Sequence, residues 1–164
     1  MTLVYPQIVS GADLLRGIIK LDRLAPLLQR RGATSVGLVN SKLYGVRSFY
    51  KTMVKYGIHP VIGLTVKLQI NENETVLLYV YAKDDSGFHN LMKMSSAISI
   101  REDEVLPMQW LQAYHAGLVI VCPMTDPSWE ESGTTERVLS ITEVCKQATV
   151  LVGIARPGGG RHPA

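Results

Sequence analysis

Histidine is scarce in this chain and scattered, and that scarcity excludes more than any other feature of the composition. The four histidines stand at His59, His89, His115 and His162, with no H-x-H, H-x-x-x-H or D-x-H spacing among them. A hydrolytic metal centre needs several His, Asp or Glu ligands converging on one end of a sheet, and spacing alone offers none. All four read as structural or solvated residues, with His115 placed where a helix C-terminus favours a polar ring. Cysteine is scarcer still. Cys122 and Cys145 form no CxxC pair, and their apolar settings suit buried free thiols in a reducing compartment. No apolar run reaches the length of a bilayer span and no charged-then-apolar leader opens the chain. A cytoplasmic protein without a membrane partner is the expectation.

Other chemistries are missing too. Ser10, Ser41, Ser86 and Ser99 have no G-x-S-x-G context, so cap and turn roles account for them. Gly158-Gly159-Gly160 has no following helix and cannot be a phosphate loop. The longest basic cluster is Arg30-Arg31, and with a net charge of +3 it suits a helix end better than a nucleic-acid contact. Asp84, Asp85, Glu102, Asp103 and Glu104 read as solvated loop ends. No exposed set of aromatics interleaved with basic residues suggests a base-stacking platform.

What is present is an ordinary folded domain. A chain of 164 residues, 46% hydrophobic and 19% charged, has material for one core and too little for two. Leu3 to Val9, broken by Pro6, reads as a first strand or irregular segment. Leu21, Leu24, Leu27 and Leu28 recur at helical spacing and Gly32 stops them; Pro26 requires either a late start or a kink. Thr34 to Val39 is a buried strand. Leu43 to Tyr56 is a helix with Val46, Phe49, Tyr50, Met53 and Val54 as its apolar face. His59 to Ile70 and Thr75 to Tyr81 are strands joined by a polar connection, hence a hairpin.

Asp84-Asp85-Ser86 offers N-caps for a helix running to about Ile98. Pro107 sits as a first helical residue ahead of Trp110, Leu111 and Tyr114. Leu118 to Cys122 is a strand of parallel-sheet character, Glu130 to Gln147 an amphipathic helix, and Thr149 to Ile154 the last strand. Strands alternating with helices predict an α/β fold with a largely parallel sheet. Residues 1–156 form the expected domain segment and residues 157–164 a flexible tail.

Several short elements occur together, in order. They are Leu14-Leu15-Arg16-Gly17, the run from Val36 to Lys51, Gly57-Ile58-His59-Pro60-Val61-Ile62-Gly63, Tyr79 to Lys83 with Gly87 to Lys93, and Gly117-Leu118-Val119-Ile120. The ordered set resembles the PHP domain at the N-terminus of the bacterial DNA polymerase III alpha subunit. That resemblance implies a distorted seven-stranded β/α barrel, here truncated on its C-terminal side. In active members it implies a cluster of two or three metals that hydrolyses phosphoesters.

The resemblance also locates ligand positions. The opening H-x-H and the histidine after it fall on Tyr5, Gln7 and Val9. The aspartate-histidine pair falls on Val39 and Asn40, a glutamate on Thr65, a histidine on Leu77 and a cysteine on Met124. None of these side chains is a carboxylate, imidazole or thiolate, and neutral oxygens would not hold a catalytic zinc or manganese. The expectation is therefore a vestigial metal site, no cofactor, no catalytic residue and a structural role. Its partners would be the remainder of a replicative polymerase alpha subunit, replisome accessory proteins, and DNA through the parent polymerase. The alternatives are a metal-dependent phosphoesterase or proofreading exonuclease with an atypical site, and a free-standing nucleic-acid-binding module.

Overall fold

In the computed structural model, which describes residues 7–10, 20–40, 43, 45–130 and 133–153, strands and helices alternate as the hydrophobic pattern predicts. Strand β1 (Gln7–Ser10) leads to helix α1 (Leu21–Arg30) and strand β2 (Ser35–Asn40). The tail expected at 157–164 lies outside the described residues. Helix α1 begins well ahead of Pro26, so the late start is not adopted. Pro26 offers no N–H to the Asp22 carbonyl, and Asp22 is exposed, where water can serve that oxygen instead. Gly32 closes the helix as expected, with the Ala33 N–H donating to the Leu28 carbonyl at 3.0 Å. The apolar face is narrower than its spacing suggests: Ala25 and Leu28 are buried, whereas Leu27 is exposed.

Helix α2 (Val46–Lys55) starts three residues later than its pattern. Gly45 stands at φ +69°, a left-handed conformation that only glycine adopts without strain and that no helix interior contains. The buried face is Phe49 and Met53, while Tyr50 and Val54 are both exposed. Strand β3 (His59–Asn71) and strand β4 (Glu74–Ala82) form the expected hairpin. The Asn71 side chain accepts the Asn73 N–H at 3.0 Å and shapes the turn. Helix α3 (Asp85–Ser99) is capped by Asp84, whose carboxylate accepts the Gly87 N–H at 2.8 Å.

Pro107 departs from its expected role. It ends a short strand, β5 (Val105–Pro107), and caps helix α4 (Met108–Tyr114) instead of opening it. A three-residue strand leaves too little pattern to see, and a proline at its last position removes a ladder donor only where pairing ends. Strand β6 (Leu118–Pro123), a 3-10 turn at Pro127–Trp129, helix α5 (Thr134–Val144) and strand β7 (Thr149–Gly153) complete the described chain. Helix α5 is shorter than its amphipathic pattern, because Gly133 precedes it in a left-handed conformation at φ +94° and Cys145 leaves helical geometry at its end, and Leu139 is exposed.

The strand order is β1-β2-β3-β4-β6-β7, with β5 beside β3. Long β3 organises this arrangement. One of its edges takes β2 along residues 59–64 and then β5 along 67–69, and β4 lines the other. Strand β4 runs antiparallel to both neighbours and the remaining pairings are parallel. The result is an α/β sheet that does not close on itself among the described residues. Alternate residues of β3 and β4, namely Ile62, Leu64, Val66, Leu68, Val76, Leu78 and Val80, are buried in the core with Phe49, Leu91, Met94 and Leu111 from the helices. Each large side chain buried here contributes about 1.5–3 kcal/mol of transfer free energy. No helix among the described residues is long and apolar enough to cross a membrane.

Candidate functional site

Three of the positions that resemblance marks for metal ligands share one face of the sheet. Alternation along a strand puts every second side chain on the same face, so the residues opposite the helix-covered set share the other face. On β3 and β4 these include Thr65, Leu77, Tyr79 and Tyr81, all half-buried. Cross-strand register then builds that face row by row. Val39 lies beside Gly63, which pairs with Tyr81; Thr65 pairs with Tyr79, which pairs with Val121; Leu77 pairs with Lys67. Val39, Thr65 and Leu77 thus come together on one surface.

The remaining positions do not join them in register. Gln7 is registered with Val36 and Val9 with Leu38, and the neighbour of Val39 on β1 is Ser10. Asn40 is registered with Leu64. In backbone register these positions are therefore offset from Val39 and Thr65. Met124 follows β6, half-buried, with its N–H donating to the Gly153 carbonyl at 2.9 Å. Tyr5 lies outside the described residues.

At the centre of the shared face the packing is apolar. A Cβ placed on Gly63 would lie 2.7 Å from Tyr81 Cδ1 and 3.1 Å from Val39 Cγ2. The tyrosine ring therefore covers the glycine, and Val39 closes its flank. Burial, and then the neighbouring Tyr79, push the Tyr81 hydroxyl above its ordinary pKa of 10.0. The donors beside this contact are one threonine hydroxyl and two tyrosine hydroxyls. Such a set does not fit zinc or manganese, which call for imidazole, carboxylate or thiolate. Among the described residues no three His, Cys, Asp or Glu side chains lie close enough to hold one ion.

The described histidines take other roles. His115 caps α4, with its Nδ1 2.6 Å from the Gln112 carbonyl, and its Nε2 accepts the Gln147 N–H at 3.2 Å. It therefore ties the end of one helix to the approach of β7. His59 opens β3, exposed, and His89 lies exposed on α3; His162 lies outside the described residues. Cys122 and Cys145 are buried free thiols as expected. Burial pushes both up to about 11, with the neighbouring Cys122 adding to the shift at Cys145.

One arrangement escaped the sequence reading. The turn at Pro127–Trp129 docks on the stretch of β4 that β6 leaves unpaired. There the Leu77 N–H donates to Ser128 Oγ at 3.0 Å and the Trp129 Nε1–H donates to the Leu77 carbonyl at 2.7 Å. Asp126 accepts from both the N–H and the hydroxyl of Ser128. Buried Arg137 reaches the Ser128 carbonyl at 3.3 Å and Glu74 at 3.1 Å. This clamp satisfies at Leu77 the two backbone groups that a third strand would otherwise take. The Asp-Pro pair at Asp126-Pro127 is a turn signal, but nothing in it names β4 as the partner.

Comparison with known proteins agrees with this frame. The PHP domain family matches residues 9–148. A DNA polymerase III subunit alpha from Bacillus subtilis is 32% identical over 126 residues, covering 75% of this chain and 11% of that protein. Its counterpart from Staphylococcus epidermidis is 33% identical over 115 residues, 68% of this chain and 10% of that protein. The Campylobacter jejuni subunit is 31% identical over 138 residues, 76% and 12% respectively. The chain spans only about a tenth of the length of these curated relatives. A crystal structure described provisionally as a metal-dependent phosphoesterase from Bifidobacterium adolescentis is a remote likeness, with TM-score 0.42 and 10% identity over 82% of this chain and 81% of that one. From the match over most of its length, this chain belongs to the PHP domain family.

Proposed function

We propose that this chain is a non-catalytic, structural PHP domain segment of a bacterial replicative DNA polymerase alpha subunit, a cytoplasmic replication protein. Residues 1–156 make up that segment and 157–164 a tail. Its work is to pack against the remainder of the subunit and to present surfaces to replisome accessory proteins, and nucleotidyl transfer belongs to the rest of the parent enzyme. The observation that carries this reading is the contact among Val39, Gly63 and Tyr81. An aliphatic side chain and an aromatic ring stand together where resemblance calls for a ligating aspartate and the space beside it. Thr65 and Leu77 on the same face supply no anionic donor.

Metal content tests this directly. After equilibration with zinc and manganese and desalting, elemental mass spectrometry is expected to find less than about one-tenth equivalent of either metal, because structural and catalytic metal sites hold their ions far more tightly than desalting can reverse. Near-stoichiometric metal would overturn the reading and make a phosphoesterase assay the next step.

A further inference from the structure

We infer that the exposed face of α2, with the groove beside it, is a binding surface for a single-stranded nucleic acid. The inference rests on charge and exposure, and it stands whether or not the scaffolding reading does. Between Arg23 and Asn71 the sequence has no aspartate or glutamate, against eight lysines and arginines. The feature is an absence of acid, not a density of base, and so a search for basic clusters passes over it. The rest of the chain holds the compensating acids, and a net charge of +3 conceals the segregation.

Helix α2 concentrates this charge on one side. Arg47, Lys51 and Lys55 follow one another at i, i+4 and i+8, all exposed. Over about 12 Å of helix axis they form a single row, since each residue rises about 1.5 Å. Among the described residues none of the three has a carboxylate within ion-pair distance. Beside the row, on the same side of the helix, lie Tyr50 and Val54, each 53% exposed. Phe49 and Met53 face the core from the opposite side, and Tyr50 is not among the core residues.

Arg47 and Lys51 of the row border a groove of about 770 Å³ between α2, the start of β3 and the N-terminus of α3. Its walls carry Arg47, Tyr50, Lys51 and Lys83, with Asp84 and Asp85 at the far side. The Asp84 carboxylate is engaged with the Gly87 N–H. Evenly spaced cations suit a chain of phosphates, and an exposed aromatic among them gives a base a surface to stack on. The aromatic is what favours a single strand over an acidic protein, for which a row of cations alone would suffice.

Fluorescence anisotropy with the full 164-residue chain tests this, using a labelled oligothymidylate, a labelled duplex and a labelled polyglutamate. The oligothymidylate should bind, with log affinity falling against log salt at a slope of about −2, the value for three phosphates on a single strand. Replacing the row together (Arg47→Gln, Lys51→Gln, Lys55→Gln) should cut affinity at least about tenfold at about 50 mM salt and bring the slope towards zero. Tyr50→Ala should weaken oligothymidylate and leave its salt slope unchanged. Lys93→Gln with Lys146→Gln, outside the acid-free stretch, should change nothing. All these positions are exposed except for Tyr50's partial cover, and circular dichroism confirms that each variant folds. No binding at low salt overturns the inference, as does a triple variant that binds like the parent. So does polyglutamate binding as tightly as oligothymidylate with Tyr50→Ala silent, which would assign the face to an acidic protein.

Discussion

Asp84 and Gly87 illustrate how single residues fix the junction below α3. The carboxylate caps the helix through the Gly87 N–H, while a Cβ on Gly87 would overlap the Gly117 carbonyl. Two backbones meet there with no room for a side chain. Asp84→Ala should lower the unfolding free energy by about 1 kcal/mol, with Asp84→Asn costing much less. Gly87→Ala should cost about 1–3 kcal/mol, because the atom it strikes is backbone and cannot rotate away. Urea titration of the three variants checks both statements.

The buried thiols make a second statement at this scale. With the folded pKa values at about 11 against an ordinary 9.0, the folded protein keeps protons that the unfolded chain releases. Stability is therefore complete below pH 9 and falls as pH rises from 9 through 11, by up to about 1.4 kcal/mol per unit for each thiol. The raised Tyr81 hydroxyl adds the same sign above pH 10. Urea midpoints from pH 8 to 11 should decline more steeply for the parent than for Cys122→Ala/Cys145→Ala. Parallel curves would mean that burial does not hold these protons.

Among elements, the clamp on β4 shows what packing supplies beyond pattern. Trp129 and Ser128 occupy the Leu77 N–H and carbonyl where β6 does not reach. Trp129→Phe leaves a partly buried carbonyl without its donor and removes part of a buried ring, which together cost about 1–3 kcal/mol. Ser128→Ala should cost a comparable amount through the Leu77 N–H, and thermal unfolding of each measures it. Helices α1 and α2 also show where periodicity stops informing. The spacing of Leu27, Tyr50 and Val54 matches an apolar stripe, yet all three are exposed. Which flank of an amphipathic face meets the sheet depends on how the neighbouring helix docks, and the two helices meet through Gln29 Nε2 donating to the Tyr56 carbonyl at 3.1 Å.

At the scale of the molecule the described sheet remains open. Its edge strand β7 exposes Leu151 to 49% and Val152 to 50%, and apolar edges recruit further strands. The isolated chain should self-associate at high concentration, and Val152→Lys should reduce this. Light scattering reports both, and a monodisperse monomer for the parent would contradict the expectation.

Sequence by itself determined the alternation of strands and helices, the long hairpin, the Asp84 cap and the buried cysteines, because local periodicity and turn chemistry dictate each of them. It also gave the residue types at the positions that resemblance marks for ligands, since residue types need no coordinates. Only the tertiary structure decided which of those positions share a face. It alone placed β5 beside β3, and it alone showed the Tyr81 ring lying across Gly63. Those outcomes depend on register and on contacts between residues far apart in the chain, and no local pattern encodes either.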